Sequence, residues 1–525
     1  MDTKALRQKI LDLAIKGKLV PQDPNDEPAS VLLEKIRAEK QQMVKDGKLK
    51  PKDIKNDTII FKGEDSLHYE KFPDGTVKCI EDKIPFELPE GWEWTRLQAI
   101  CEPITDGTHK TPTYSDEGFI FLSSKNVTSG HIDWDNIMYI PESLHNELYA
   151  RLAPQKNDIL LAKNGTTGVA AIVDRDCIFD IYVSLALLRI IGYIISPEYL
   201  LSTIASSTIQ NYFNSSLKGI GVPNLHLEHI RTTLIPVAPI NEQYRIATKL
   251  EQLLSFADKI ESDKIFLLTT IDQTKAKILD LAIRGKLVPQ DPNDEPASIL
   301  LERIRAEKEE LIRQGRIKRD KKESVIFKGE DNSYYEKIGN IARNINDELP
   351  FELPDGWIWC RGSSCFLPMK SRKPSGTYFK YIDIDSIDNK HQAIKEAKIT
   401  ETAKAPSRAN RAVFDGSILF SLVRPYLKNI ALVDSNNADS IASTGFYIAT
   451  SNGTFIPKYL YILMISAYVA DGLNQFMKGD NSPSISKDNI EKWLYPVPPL
   501  AEQEKIANTV QKHISIFEDI EKSLS

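Results

Sequence analysis

The sequence predicts an α+β protein of two related halves: two α/β domains, related by a pseudo-two-fold axis and separated by an antiparallel coiled coil of two long helices. Three observations carry this. One long segment occurs twice almost unchanged. An apolar repeat of 3.5 residues runs through the middle of the chain. Each half also contains one long stretch in which the likeness between the copies fades.

The repeat comes first. Residues 9–40, KILDLAIKGKLVPQDPNDEPASVLLEKIRAEK, return as 277–308 with changes only at Lys16/Arg284, Val31/Ile299 and Lys35/Arg303. IIFKGEDSLHYEK at 59–71 matches VIFKGEDNSYYEK at 325–337, and PFELPEGWEWTR at 85–96 matches PFELPDGWIWCR at 350–361. The likeness returns at 218–247 against 478–507. On this alignment the C-terminal segment followed by the N-terminal one recreates the middle of the chain. The protein reads as two half-repeats cut within one copy of its central helix, and the termini are expected near each other. One framework with two diverged inserts suggests two different readers. The expected divisions are 1–85, 86–240, 241–285, 286–350, 351–499 and 500–525.

The central helix is expected from Glu242, with Asn241 as N-cap after Pro239 and a stop at Gly285 and Pro289. Its seam steps 4-3-4-3 through Ile246, Leu250, Leu253, Ala257, Ile260, Lys264, Leu267, Ile271, Thr274, Ile278 and Leu281. The other copy supplies Ile506, Val510, His513, Phe517, Ile520 and Leu524, resuming at Leu6, Ile10 and Leu13. Neither stripe can bury its seam alone, so the two are expected to pair. From 246 to 281 the helix would span about 54 Å, which matches about 15 base pairs of B-DNA. A rod of that length suits the task of spacing two DNA readers. An ordinary dimerisation hairpin is the simpler alternative.

The second repeated element, PQDPNDEPAS, is a proline-punctuated extended loop. Ser30 and Ser298 are expected to cap short, highly charged helices over 31–45 and 299–313. Their near-identity suggests a surface presented twice to two copies of one partner.

The diverged stretches hold short β-like runs. These are 118–122, 158–162, 169–173 and 182–191 in the first, and 379–384, 418–422, 430–433 and 443–449 in the second. Each stretch opens with a Gly-Trp-x-Trp, read as a core anchor. Polar loops lie between the runs. Lys, His, Thr, Asn and Gly in such loops donate to phosphates, read base edges and permit close approach. In the first region the candidate DNA contacts are Thr105, Asp106, Thr108, His109 and Lys110, then Lys125 and Asn126, then Lys163, Asn164 and Thr166, and Lys218. In the second they are Lys370, Arg372 and Lys373, then Arg408 and Arg411, then Arg424, Lys428 and Asn429, and Lys478 with Asn481. Residues 86–240 hold 10 Lys+Arg against 17 Asp+Glu, and 351–500 hold 17 against 14, so only the second region is basic on balance.

Composition bounds the classes. The chain has 525 residues, 41 % hydrophobic and 27 % charged, ordinary for a soluble globular protein of about three to five units. A net charge of −6 excludes bulk electrostatics as the basis of nucleic-acid binding, so DNA contact must come from local patches. No apolar run suits a membrane span, and residues 1–18 do not read as a secretory signal. Five irregularly spaced Cys give no disulfide framework, and the expected setting is a reducing cytoplasm.

With these residues in view, the chain resembles the DNA-specificity subunit of type I restriction–modification enzymes. The likeness rests on ILDLAI(K/R)GKLVPQDPNDEPAS in both copies, on PVAPINEQ and PVPPLAEQ, on LPEGWEW and LPDGWIW, on DGTHKTPTY, and on the doubled arrangement itself. The resemblance implies that each variable region is a target-recognition domain for one half of a split site, with 86–240 reading the first half and 351–500 the second. It implies partners: double-stranded DNA, two methyltransferase (modification) subunits docked on the helices, and restriction (motor–nuclease) subunits. S-adenosylmethionine, ATP and Mg would serve those partners, and this chain would hold no cofactor and no catalytic residue. The acidic balance of the first region departs from what simple electrostatics would favour.

The motif search agrees. Asn/Asp-Pro-Pro-Tyr, G-x-G-x-x-G and G-x-x-x-x-G-K-S/T are all absent from the sequence. His226 and His229 have chelating spacing but no third ligand follows, and they read as surface histidines. Asp74 with Glu81 and Lys83 imitates a Mg-dependent nuclease signature in a linker that the other half lacks. A stand-alone nuclease on those three residues, or a coiled-coil adaptor that binds no DNA, are the alternatives.

Overall fold

A single helix, Ile240–Ile283, carries the chain from one half to the other. In the computed structural model, which describes residues 2–128, 130–217, 223–318 and 324–524 (main chain only at Tyr193), the chain divides into two units, Met1–Asp263 and Lys264–Ser525. Asn241 lies inside the helix rather than capping it. The Gln243 N–H already donates to Pro239 O at 2.9 Å, and the Asn241 side chain donates to Asp26 at 3.2 Å. The stop is as expected. Gly285 has φ +65°, Lys286 N–H closes back on Leu281 O at 2.9 Å, and a Cβ at Gly285 would run into the Pro354 ring.

Within the first unit, helix Thr3–Ile15 runs antiparallel to the start of this helix, since Thr3 bonds Glu261 and Arg7 pairs with Asp258. Within the second, helix Leu500–Leu524 lies along 264–283, with Lys275 on Glu521 at 2.8 Å. The seam is deepest toward the domains. Ile246, Leu250, Ile271, Ile506 and Val510 are buried, while Leu253, Ile260, Phe517 and Ile520 are half-buried. The expectation fails at Leu267, which is 39 % exposed. Lys275 already meets Glu521, so a residue about two turns earlier lies past Leu524, the last described residue of the partner helix.

The two units repeat one frame. Helices Ala29–Lys45 and Ala297–Arg313 follow the proline loops. Ser30 and Ser298 are not their caps. Each lies in the first turn, and the helix-opening N–H groups of Ala29 and Ala297 donate instead to Gly91 O and Gly356 O, both at 2.8 Å. The helices are also less superficial than their charge suggested: Leu32, Leu33 and Ile36 are buried in the first and Leu300 in the second. A three-stranded antiparallel meander comes next, Ile59–Lys62, His68–Lys71 and Val77–Cys79, repeated as Ser324–Lys328, Tyr334–Ile338 and Ile341–Asn344.

A two-stranded ribbon then closes each frame. Glu93–Arg96 pairs with Leu234–Val237, placing Trp94 opposite Pro236, and Ile358–Arg361 pairs with Leu494–Val497, placing Trp359 opposite Pro496. The diverged region is therefore inserted between two paired strands. The Trp anchors are buried, and Trp92 Nε1–H donates to Glu242 at 2.9 Å just as Trp357 does to Glu502. The next residue ties in the insert: Gln243 accepts from Ser196 N–H at 3.0 Å, and Gln503 from Ile456 N–H at 2.9 Å. Those donors sit at the N-termini of helices Pro197–Ala205 and Pro457–Ile465.

Burial pushes the Glu242 carboxyl above its ordinary range, partly offset by the Trp92 donor. A carboxyl raised on folding contributes stability at low pH and loses it as pH rises through the raised value. Glu242→Gln keeps an acceptor for Trp92 and abolishes the charge. The variant should melt higher than wild type at neutral and alkaline pH and gain nothing at acid pH, which thermal unfolding across pH checks.

Each insert is built on a pair of small sheets, to which the second adds a two-stranded ribbon, Ile387–Asp388 with Ala393–Ile394. The first has a four-stranded sheet in the order Thr105–Asp106, Leu185–Leu188, Ile159–Ala162, Ala170–Ile172, and a three-stranded sheet in the order Phe179–Ile181, Phe119–Leu122, Met138–Ile140. In the second the three-stranded sheet runs Ile430–Leu432, Ile418–Ser421, Phe446–Ala449, and the four-stranded one Lys398–Glu401, Tyr378–Ile382, Ile441–Ser443, Ala409–Ala412. The runs expected at 182–191 and 443–449 are not single strands. The chain turns near Ser184 and Gly445 and changes sheet there.

Candidate nucleic-acid interface

The change of sheet gathers the loops. In the first unit Val183 N–H donates to Thr108 O at 3.0 Å, Ser124 N–H to Ser184 Oγ at 2.9 Å, and Lys163 N–H to Ser184 O at 2.8 Å. Leu225 N–H closes on Lys163 O at 2.9 Å, and Asn164 bridges Asn224. Loops read separately from the sequence therefore meet at one end of the sheets.

Four of the candidates in this cluster are internal. Lys163 Nζ and Asp106 Oδ2 stand 2.5 Å apart, and both residues are buried. Their charges serve each other beneath the loops. Thr108 is also buried. Asn126 accepts from Ser123 N–H at 2.9 Å and donates to Asp133 O and Asn136 O, so its amide is occupied in tying Ser123 to Asp133 and Asn136. These are supports for the surface, not parts of it. The outer layer is His109, Lys110 and Lys125, exposed, with Thr105, Asn164 and Thr166 half-buried. Among the described residues, the buried atoms Asn164 Oδ1, Thr166 Oγ1 and Asn224 Oδ1 have no hydrogen-bond partner. Lys218 lies outside the described residues.

The second unit forms two neighbouring groups. Ser371 bridges Arg411, Arg372 N–H donates to Asn410 O at 3.3 Å, and Ala412 N–H to Lys370 O at 2.9 Å. This sets Lys370, Arg372 and Lys373 beside Arg408 and Arg411. All five are exposed or half-exposed, and Arg411 Nε has no hydrogen-bond partner among the described residues. Val423 bridges Ser484, which joins Arg424 and Lys428 to Lys478 and Asn481, with Arg424 donating to Asn481 O at 3.1 Å. Asn429 is the exception: only 5 % exposed, it belongs to the core beneath the loop. Tyr378 was missed. It stands 59 % exposed beside Arg372, where a strand-edge aromatic in Gly-Thr-Tyr-Phe was a legible signal.

The nuclease imitation dissolves. Glu81 accepts from the His68 N–H and ring Nδ1, each at 2.8 Å, and Asp74 accepts from Thr76 N–H at 2.9 Å to hold its own turn. Among the described residues no three His, Cys, Asp or Glu side chains gather to bind a metal, His226 and His229 included. Among the same residues no helix is long and apolar enough to cross a membrane.

Two inserts of unlike chemistry on one duplicated frame define a class, and the comparisons place the chain in it. The model of the type I restriction modification DNA specificity domain matches residues 89–269 and 364–525, and the chain belongs to that family. The chain is similar to the type I restriction enzyme EcoAI specificity subunit of Escherichia coli, 28 % identical over 588 residues that cover 97 % of this chain and 89 % of the relative. It is likewise 28 % identical over 596 residues to the EcoEI specificity subunit of Escherichia coli, covering 99 % of this chain and 90 % of that one. A chain solved in work on complex assembly and conformational transition of the type I R-M system shares the fold, with TM-score 0.52 and 18 % identity over 84 % of this chain and 94 % of that chain.

Proposed function

We propose that this chain is the non-catalytic specificity subunit of a type I restriction–modification enzyme and binds a bipartite DNA sequence, one half-site per recognition domain. The observation that carries the reading is the gathering of loops in each unit. The same frame presents hydrogen-bonding groups over a buried Asp106–Lys163 pair in one unit and a cluster of cations in the other. Helix Ile240–Ile283 and its two shorter partners serve as an antiparallel coiled-coil spacer, and its length sets the gap between half-sites. Two methyltransferase subunits dock on the repeated helices, one for each strand's target base, and restriction subunits complete the complex. S-adenosylmethionine, ATP and Mg act in those partners, within the cytoplasm.

Mapping methylated sites in cells that carry this chain with its modification subunit is the test. Exchanging 86–240 for a relative's region should change one half of the methylated sequence and leave the other. A change in both halves overturns modular reading, and absence of any site-selective binding favours the adaptor without DNA. Lengthening the helix should widen the gap, and an unchanged gap removes the spacer role.

A further inference from the structure

The hairpin loop between Ile159–Ala162 and Ala170–Ile172 has its counterpart between Ile418–Ser421 and Ile430–Leu432, because in each unit the first strand also pairs with the later strand Leu185–Leu188 or Phe446–Ala449. The two loops solve one geometric problem with opposite chemistry. In the first, Asn164-Gly-Thr-Thr-Gly168, the positive φ angles fall on glycines, +78° at Gly165 and +88° at Gly168. In the second, Arg424-Pro-Tyr-Leu-Lys428, they fall on Arg424 (48°) and Lys428 (52°). An L side chain holds that conformation only against strain, so the surroundings must impose it.

They do so from several sides. Arg424 N–H donates to Pro483 O at 2.7 Å, Asn389 donates its side-chain amide to Leu427 O at 3.1 Å, and Lys428 pairs with Asp471 at 2.9 Å. Pro425 is buried and fixes its own φ. What this clamp holds outward is a pair of apolar side chains, Tyr426 at 46 % and Leu427 at 38 % exposure, amid the basic cluster. The first unit has two threonines at that place.

We propose that Tyr426 and Leu427 form a wedge that enters the duplex of the second half-site and unstacks one base step, with Arg424 at the flanking phosphate. Apolar wedges unstack steps in this way, and an aromatic face stacks on any exposed base. The strained shoulders fix the wedge before DNA arrives, so little ordering entropy is lost on binding. The inference rests on the reading that the second insert takes a half-site, and it adds that this half is read partly through the ease of unstacking.

The test uses the full chain purified with its modification subunit and a duplex bearing the site found by methylation mapping, with 2-aminopurine placed at successive positions. Apart from the target bases that the modification subunits flip out of the stack, fluorescence should rise at one step of the second half-site and at none of the first. The double variant Tyr426→Ala/Leu427→Ala should lose that rise and bind about ten- to hundredfold more weakly, the range set by removing a stacked base–aromatic pair. Tyr426→Phe should retain both. Arg424→Gly/Lys428→Gly, which relaxes the strain and also removes the flanking cations, should keep the fold and weaken both binding and the rise. Tight site-selective binding with no rise, or a double variant that binds as wild type does, overturns the wedge and leaves the recognition reading intact. Failure of the wild-type complex to bind any site selectively overturns that reading and the wedge together.

Discussion

Glu70→Ala should destabilise the first unit by about 3–5 kcal/mol, the cost of leaving a buried charge without its partner. Arg96 grips Glu70 with two hydrogen bonds, Nε at 3.0 Å and Nη2 at 2.7 Å, and its third arm donates to Thr232 O at 2.6 Å. Thr58 donates its hydroxyl to Glu70 Oε1 at 2.6 Å. The side chains of Arg96 and Glu70 are 11 % and 6 % exposed, so water cannot replace the missing carboxylate. Burial alone would raise the Glu70 carboxyl, but Arg96 and Thr58 outweigh it and hold the group below its ordinary value. A depressed carboxyl contributes stability above the unfolded value and loses it as pH falls through the folded one. Wild type should therefore weaken on acidification through the carboxylate range, and Glu70→Ala should show less of that loss. Urea unfolding at several pH values reads both effects. A double change, Glu70→Leu with Arg96→Met, should cost less than Glu70→Ala alone, because no charge is then stranded.

The second large effect is on DNA. Replacing Arg372, Lys373 and Arg408 together by Ala should weaken binding of the methylated-site duplex by about ten- to a thousandfold at low salt. It should also flatten the plot of log affinity against log salt by about 0.9 for every phosphate that the variant no longer neutralises. These cations lie on the region with 17 Lys+Arg against 14 Asp+Glu, and the Arg372 loop is tied directly to the Arg411 strand. Lys110→Ala with Lys125→Ala in the first region should flatten the slope less, because only two cations leave. Binding measured over a range of KCl concentrations decides. An unchanged slope in the triple variant would mean that the patch does not face phosphates.

What could be read from the sequence divides by range. The duplicated frame, the Trp anchors and the stop at Gly285 were legible because each is carried by adjacent residues or by the repeat itself. Ser30 misled because its helix is opened by a carbonyl at Gly91, far along the chain, and nothing local announces that acceptor. The meanders passed unnoticed because strands such as His68–Lys71 are short and bury polar residues, His68 and Glu70, where the apolar alternation of a half-buried strand is looked for. Among the candidate residues, Lys110, Lys125 and the second unit's arginines do line the gathered loops. Asp106 and Lys163 were also chosen as polar loop residues, yet they are buried against each other across 57 positions of chain. Residue type shows what a side chain can donate, while only the fold shows which way it faces. Leu267 is a similar case: the apolar period was real, but the reach of the partner helix was not written in it.

The paired strands Glu93–Arg96 and Leu234–Val237 have a practical consequence. They bring the two ends of the insert to about 4.8 Å from each other, the spacing of neighbouring strands. A guest domain with adjacent termini meets the first requirement for being mounted on that ribbon. The same holds at Ile358–Arg361 and Leu494–Val497. The protein is thus a two-socket chassis, and a graft cut at these strands must also supply the N–H that Gln243 or Gln503 accepts and the apolar side chains that complete the frame's core.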